Sequence, residues 1–127
     1  MTLLLLGGTT TIKNCGDGSD IAKYISGSIN PIPAVPGENM TVSFTYNIGV
    51  PITDGTVDYS YTINYLPAPS VSKPLCEETS CPKEVGTNTE TSTSVFPTDV
   101  SGRIEGKISW KNEFNERILC VQTIFFV

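Results

Sequence analysis

Apolar and polar residues alternate over long stretches of this chain, with a period of two. Met40, Val42, Phe44, Tyr46 and Ile48 share one parity, and Thr41, Ser43, Thr45 and Asn47 share the other. Successive side chains of a strand point to opposite faces, so this pattern predicts a half-buried strand over 40–48. Val57, Tyr59, Tyr61, Ile63 and Tyr65 alternate with Thr56, Asp58, Ser60, Thr62 and Asn64 and predict a second. Ile104, Gly106, Ile108 and Trp110 predict a third, and Arg117 to Val127 the last. Ile21, Ile25 and Ile29 share a parity and predict a strand over 21–29. They also fit a helical stripe, but two serines and a glycine in the same stretch argue against a helix. Thr9 to Asn14 is β-prone. Thr87 to Val95 sets threonines against Asn88, Glu90, Ser92 and Ser94; its apolar signal is weak, which predicts an edge strand.

Proline and glycine punctuate these runs. Pro31, Pro33, Pro36 and Gly37 predict a rigid extended connection ending in a turn, and Asp54-Gly55 predicts a turn. Leu66-Pro67-Ala68-Pro69 cannot be a central strand, because proline lacks the ladder donor. Phe96 to Gly102 is a further loop, and Lys111-Asn112-Glu113 opens a hairpin turn. The fold class that follows is all-β: an Ig-like two-sheet β-sandwich of about seven strands. Residues 1–13, with a run of four leucines, are read as a signal remnant or frayed N-terminal strand, and residues 14–127 as the domain.

Composition narrows the function. The net charge is −5, which repels nucleic acid, and no Lys/Arg cluster forms a polybasic membrane patch. The chain has no histidine, which excludes Ser-His-Asp and Cys-His nucleophile systems and His-ligated zinc. No constellation supplies a nucleophile with a base, so the chain is read as no enzyme, and no cofactor or metal is expected. Glu77-Glu78 is read as a solvated pair, because neighbours on an extended chain point apart.

Cys15, Cys76, Cys81 and Cys120 do not have the spacing of a paired CxxC zinc site. An even count in a short β-rich chain reads as two disulfides and an oxidising compartment. Three pairings are possible. The close spacing of Cys76 and Cys81 favours a local clip, which leaves Cys15 and Cys120 to join the ends of the domain. Following the Pro-rich 66–69 loop, the clip is expected to brace it. Asn39-Met40-Thr41 is an N-glycosylation sequon and predicts an exposed Asn39.

The order of motifs resembles a known family. Cys15-Gly16 opens the domain, and Asn30-Pro31-Ile32-Pro33 with Pro36-Gly37 precedes the first strong strand. Leu75-Cys76-Glu77 leads to Cys81-Pro82 and Gly86; Phe96-Pro97, Gly102 and Leu119-Cys120 follow. This order resembles the ML lipid-recognition domain, which includes lysosomal Niemann–Pick-type sterol carriers and phosphatidylglycerol/phosphatidylinositol transfer proteins. Cys-Gly-Asp-Gly and Leu-Cys-Glu are most similar to the phospholipid-transfer branch. The resemblance implies Cys15–Cys120 and Cys76–Cys81 bridges, and an apolar cavity between the sheets. Its lining is expected from Phe44, Tyr46, Tyr59, Tyr61, Ile63, Tyr65, Ile108 and Trp110. By position its mouth falls at Leu66, Pro67, Ala68, Thr98 and Val100.

The function implied is non-enzymatic lipid binding and transfer, with a phospholipid favoured and a sterol possible. Expected partners are the lipid, a membrane in transient contact, and a receptor or membrane-protein acceptor, with the chain itself a monomer. The expected location is outside the cell or in the endosomal/lysosomal lumen. The alternative is an extracellular recognition module: a lipid-presenting co-receptor or a solid Ig-like adhesion domain.

Overall fold

The structure, a computed structural model, describes residues 10–127. These form nine strands and one turn of helix: β1 (Thr11–Asn14), β2 (Ala22–Asn30), β3 (Asn39–Ile48), β4 (Thr56–Ile63), β5 (Leu66–Pro67), β6 (Val71–Pro74), α1 (Leu75–Glu78), β7 (Gly86–Val95), β8 (Arg103–Lys111) and β9 (Arg117–Phe126). One antiparallel sheet has the order β1-β9-β8-β4-β5, with β6 also on β4; the other has the order β2-β3-β7. Two faced antiparallel sheets make the sandwich. The reading of residues 1–13 as a remnant or frayed strand lies, for residues 1–9, outside the described residues. Thr11 to Asn14 are paired with β9.

Alternation places the core. In the larger sheet, register aligns Val57 with Trp110 and Leu119, and Tyr61 with Gly106 and Thr123, all facing inward. In the smaller sheet the inward pairs are Tyr46–Asn88, Phe44–Glu90, Val42–Ser92 and Met40–Ser94. Large side chains meet at both ends of the sandwich. At one end the Trp110 ring lies edge-on to Phe44 and Tyr46, with centroids 5.9 and 5.6 Å away. At the other, Ile29, Ala34, Phe96, Ile104 and Phe125 form a second buried cluster. Between them stand small side chains, so the core is divided in two.

The outward face of the smaller sheet is hydroxylated. Thr41, Ser43 and Thr45 of β3 bond to Thr93, Thr91 and Thr89 of β7 at 2.9–3.1 Å. β7 ends that sheet, as an edge strand should. Cys15 is bonded to Cys120 and Cys76 to Cys81, with Cα atoms 5.0 and 5.3 Å apart.

Four expectations are corrected. Ile25 does not share the inward face of Ile29, because a bulge between Tyr24 and Ser26 inverts the parity; Ile25 is left exposed. Tyr65 does not continue the 56–65 strand. Asn64 and Tyr65 have φ of 51° and 70°, the left-handed pair that a two-residue hairpin turn requires, and Tyr65 is 74% exposed with Arg103 stacked over its ring. The stretch from Leu66 to the clip, expected to be loop, holds two short edge strands on β4, β5 and β6. Pro74 tolerates the position because β6 is an edge strand. The clip does not brace the 66–69 loop. Leu66 pairs with Ile63 while Pro74 pairs with Thr56, so the chain runs back along β4 and the two features lie roughly 23 Å apart at about 3.3 Å per residue.

Candidate functional site

Among the described residues the sheets close on one edge. Where β1 and β2 approach, a Cβ on Gly27 would lie 2.5 Å from the Tyr24 hydroxyl and 2.8 Å from Ile12. On the opposite side, between β7 and β4, inward-facing Ser92, Ser94 and Tyr61 remain exposed. Two contiguous chambers open there. The first is about 430 Å³ and the second about 370 Å³. They share Met40, Tyr61, Ser94, Gly106, Thr123 and Phe125.

The second chamber is apolar, walled by Ile63, Ala68, Phe96, Pro97, Val100 and Ile104. The chain builds its rim by tying three loops. Ala68 N–H donates to the Tyr61 carbonyl (2.8 Å), Gly37 N–H to that of Phe96 (2.8 Å), and Gly102 and Val127 exchange N–H···O bonds of 2.8 and 3.0 Å. Gly37 and Gly102 have φ of 84° and 97°, which suits them to these turns.

The first chamber has apolar walls from Val42, Phe44, Tyr59, Ile108 and Trp110, but one end is polar: Glu78, Thr79 and Glu90 face it. Glu90 is inward because register sets it opposite Phe44. Its Oε2 accepts from the Tyr46 hydroxyl at 2.7 Å and lies 2.8 Å from Lys83 Nζ; its Oε1 accepts from Thr79 Oγ1 at 2.7 Å. Lys83 is buried and also donates to Thr79 Oγ1 at 2.6 Å. Lys83 is held there by paired backbone bonds with Ile52 of 3.0 and 2.7 Å. On α1, Glu78 Oε1 accepts from the Tyr59 hydroxyl at 2.6 Å. Burial, and then the carboxylate each one bonds, push the Tyr46 and Tyr59 phenols far above their usual range, so both remain neutral donors.

Of the residues expected to line a cavity, Phe44, Tyr59, Tyr61, Ile63, Ile108 and Trp110 lie in the chamber walls. Tyr46 lies behind them, fully buried, and reaches the site through Glu90. Tyr65 lies outside. Of the expected mouth residues, Ala68 and Val100 are in the wall of the second chamber; Leu66, Pro67 and Thr98 are exposed and outside it. Asn39 is exposed at the start of β3. Glu78, expected to be half of a solvated pair on an extended segment, lies on the α1 turn, bonds Tyr59 and faces the chamber; Glu90, Ser92, Ser94, Gly106 and Thr123 were not anticipated. Their signal was small or polar residues on the inward parity of otherwise regular strands. Among the described residues, no three metal-ligating side chains cluster.

The ML domain sequence profile matches residues 9–126. None of the curated proteins matches the sequence. Among solved structures, the fold is similar to a Niemann-Pick type C2 protein from the Japanese carpenter ant. The TM-score is 0.67 at 19% identity, over 91% of this chain and 97% of that one. It is also similar to chicken MD-1, solved in complex with lipid IVa, with a TM-score of 0.68 at 16% identity, over 92% of this chain and 88% of that one. At these identities the likeness is one of fold. The profile match takes in all nine strands and all four cysteines, and the chain belongs to the ML domain family.

Proposed function

We propose that this protein is a non-enzymatic lipid carrier that holds one lipid between its sheets and exchanges it with membranes. The observation that carries this reading is the pair of contiguous chambers, about 430 and 370 Å³, opening on the unclosed edge. A solid sandwich would have filled that space with side chains, and interiors are otherwise close-packed. An apolar tail needs only a dry channel, since each buried methylene contributes about 0.8 kcal/mol. Chicken MD-1, of the same fold, was solved with lipid IVa, which supports a lipid for this chain too. The two disulfides favour secretion or an endosomal/lysosomal lumen, and exposed Asn39 is available for a glycan.

Native mass spectrometry after detergent-free purification tests the reading. A co-purified or readily added lipid at one per chain is expected; a clean apo mass with no uptake sinks it. Transfer between vesicles of anionic composition should be faster at high than at low salt, because salt screens the repulsion between the membrane and a net charge of −5.

A further inference from the structure

The polar end of the first chamber can be read by donor and acceptor. Around it, the Tyr46, Tyr59 and Thr79 hydroxyls each donate to a carboxylate, and the Lys83 ammonium is spent on Glu90, Thr79 and, at 3.5 Å, Ser80. Each carboxylate oxygen carries two acceptor sites. Glu90 keeps one on Oε1, and Glu78 keeps its whole Oε2 among the described contacts. The charge balance agrees: two carboxylates face one ammonium, already paired. Lys107 also borders the chamber, but register sets its side chain on the outer face with Ser60 and Gln122. This end therefore offers acceptors and net negative charge, and past the apolar walls of the first chamber lies the second, with no charged residue in its wall.

We infer that the site takes an amphiphile whose head group donates hydrogen bonds and is uncharged or cationic, a hydroxyl or an ammonium, with its tail running into the second chamber. This rests on the lipid-carrier reading and narrows it. An anionic head placed here would meet the charges of Glu78 and Glu90, and the one ammonium among the described residues of this end, Lys83, is already paired. The inference runs against the phospholipid preference that the sequence motifs suggested, as far as anionic phospholipids are concerned.

The test uses the disulfide-intact chain and four dodecyl amphiphiles below their micelle concentrations: dodecanol, dodecylamine, dodecanoate and dodecyl phosphate. Each competes with the neutral fluorescent probe N-phenyl-1-naphthylamine near pH 7.5. The alcohol and amine should bind at least about tenfold tighter than the carboxylate and phosphate, a difference of about 1.4 kcal/mol. Glu78→Gln should shrink the amine-over-carboxylate ratio several-fold. Glu77→Gln removes the same charge from the adjacent exposed position and should leave the ratio unchanged. Equal affinity for all four, tighter binding of an anion, or equal effects of the two variants would overturn the head-group assignment while leaving lipid binding intact. A probe that does not bind at all would overturn the carrier reading and the inference together.

Discussion

At the scale of the residue, Gly106 decides whether the two chambers communicate. It lies in the wall of both, in the row of Tyr61 and Thr123, and a Cβ there would sit 3.1 Å from Thr123 Oγ1 and 3.4 Å from the Tyr61 ring. Gly106→Leu should therefore block the passage. Probe affinity is expected to fall at least about tenfold, or about 1.4 kcal/mol, with the far-UV circular dichroism unchanged; full binding by the variant would show that the tail does not pass this point. Glu105, one residue earlier, faces outward and contributes to acid stability. Its partial burial pushes the carboxyl up, but hydrogen bonds from Arg103 (3.3 Å) and Gln122 outweigh that and hold it below the usual 4.5. A depressed folded-state value gives stability that is present above the unfolded value and lost as pH falls through the folded one. The midpoint of thermal unfolding should thus drop below about pH 4.5 in the parent and drop less steeply in Glu105→Gln. Parallel pH profiles would refute the assignment. Residues of this kind were only half legible in the sequence. Phe44, Tyr59 and Trp110 could be placed inward by parity alone, whereas the space beside them comes from atoms Gly106 and Ser92 lack. Tyr65 kept the right parity but sits in a turn, because nothing in Asn64-Tyr65 announces two positive φ values as Asn-Gly would.

At the scale of the element, β7 is tied to the clip and to Lys83 just after it by a largely buried network centred on one ion pair. Lys83 and Glu90 have side chains 7% and 16% exposed, and Tyr46 and Thr79 complete the network. Removing one partner strands the other charge, so Glu90→Ala should cost about 3–5 kcal/mol in denaturant unfolding. The double variant Lys83→Met, Glu90→Leu removes both charges and should cost less than the single one: both variants take the acceptor from the Tyr46 and Thr79 hydroxyls, but only the single one also strands the Lys83 ammonium. A double variant less stable than Glu90→Ala would mean that the pair is not the connection. Six long strands were legible because their period of two is unbroken or nearly so. The bulge in β2 was not, since one extra residue leaves no mark in composition. β6 was missed because its four residues are all exposed and carry no alternation to read. Glu90 read as the polar side of an edge strand, and only the register against Phe44 turns it into the lining of a chamber.

At the scale of the whole molecule, the two disulfides have different tasks, and this separates stability from binding. Cys15–Cys120 closes a loop of 105 residues and pins β1 to β9 beside the Arg117–Asp20 ion pair of 2.7 Å. On the chain-entropy model such a loop is worth about 4–5 kcal/mol, against about 2 for the Cys76–Cys81 closure. The long bridge lies on the edge where β1 and β2 already approach, away from both chambers. The short bridge holds α1, and α1 carries Glu78, with Thr79 next in the chain, to the polar end of the first chamber. Cys15→Ser, Cys120→Ser should therefore lose the larger share of unfolding free energy yet keep probe affinity under conditions where it is still folded. Cys76→Ser, Cys81→Ser should lose less stability and more affinity, with the loss concentrated in amphiphiles bearing an amine or alcohol head. The order of the two effects is the decisive reading. If the clip variant bound as the parent does, α1 would be held by its backbone bonds alone, Leu75 N–H to the Gly55 carbonyl (2.9 Å) and Thr79 N–H to that of Leu75 (3.0 Å), and the clip would serve stability only.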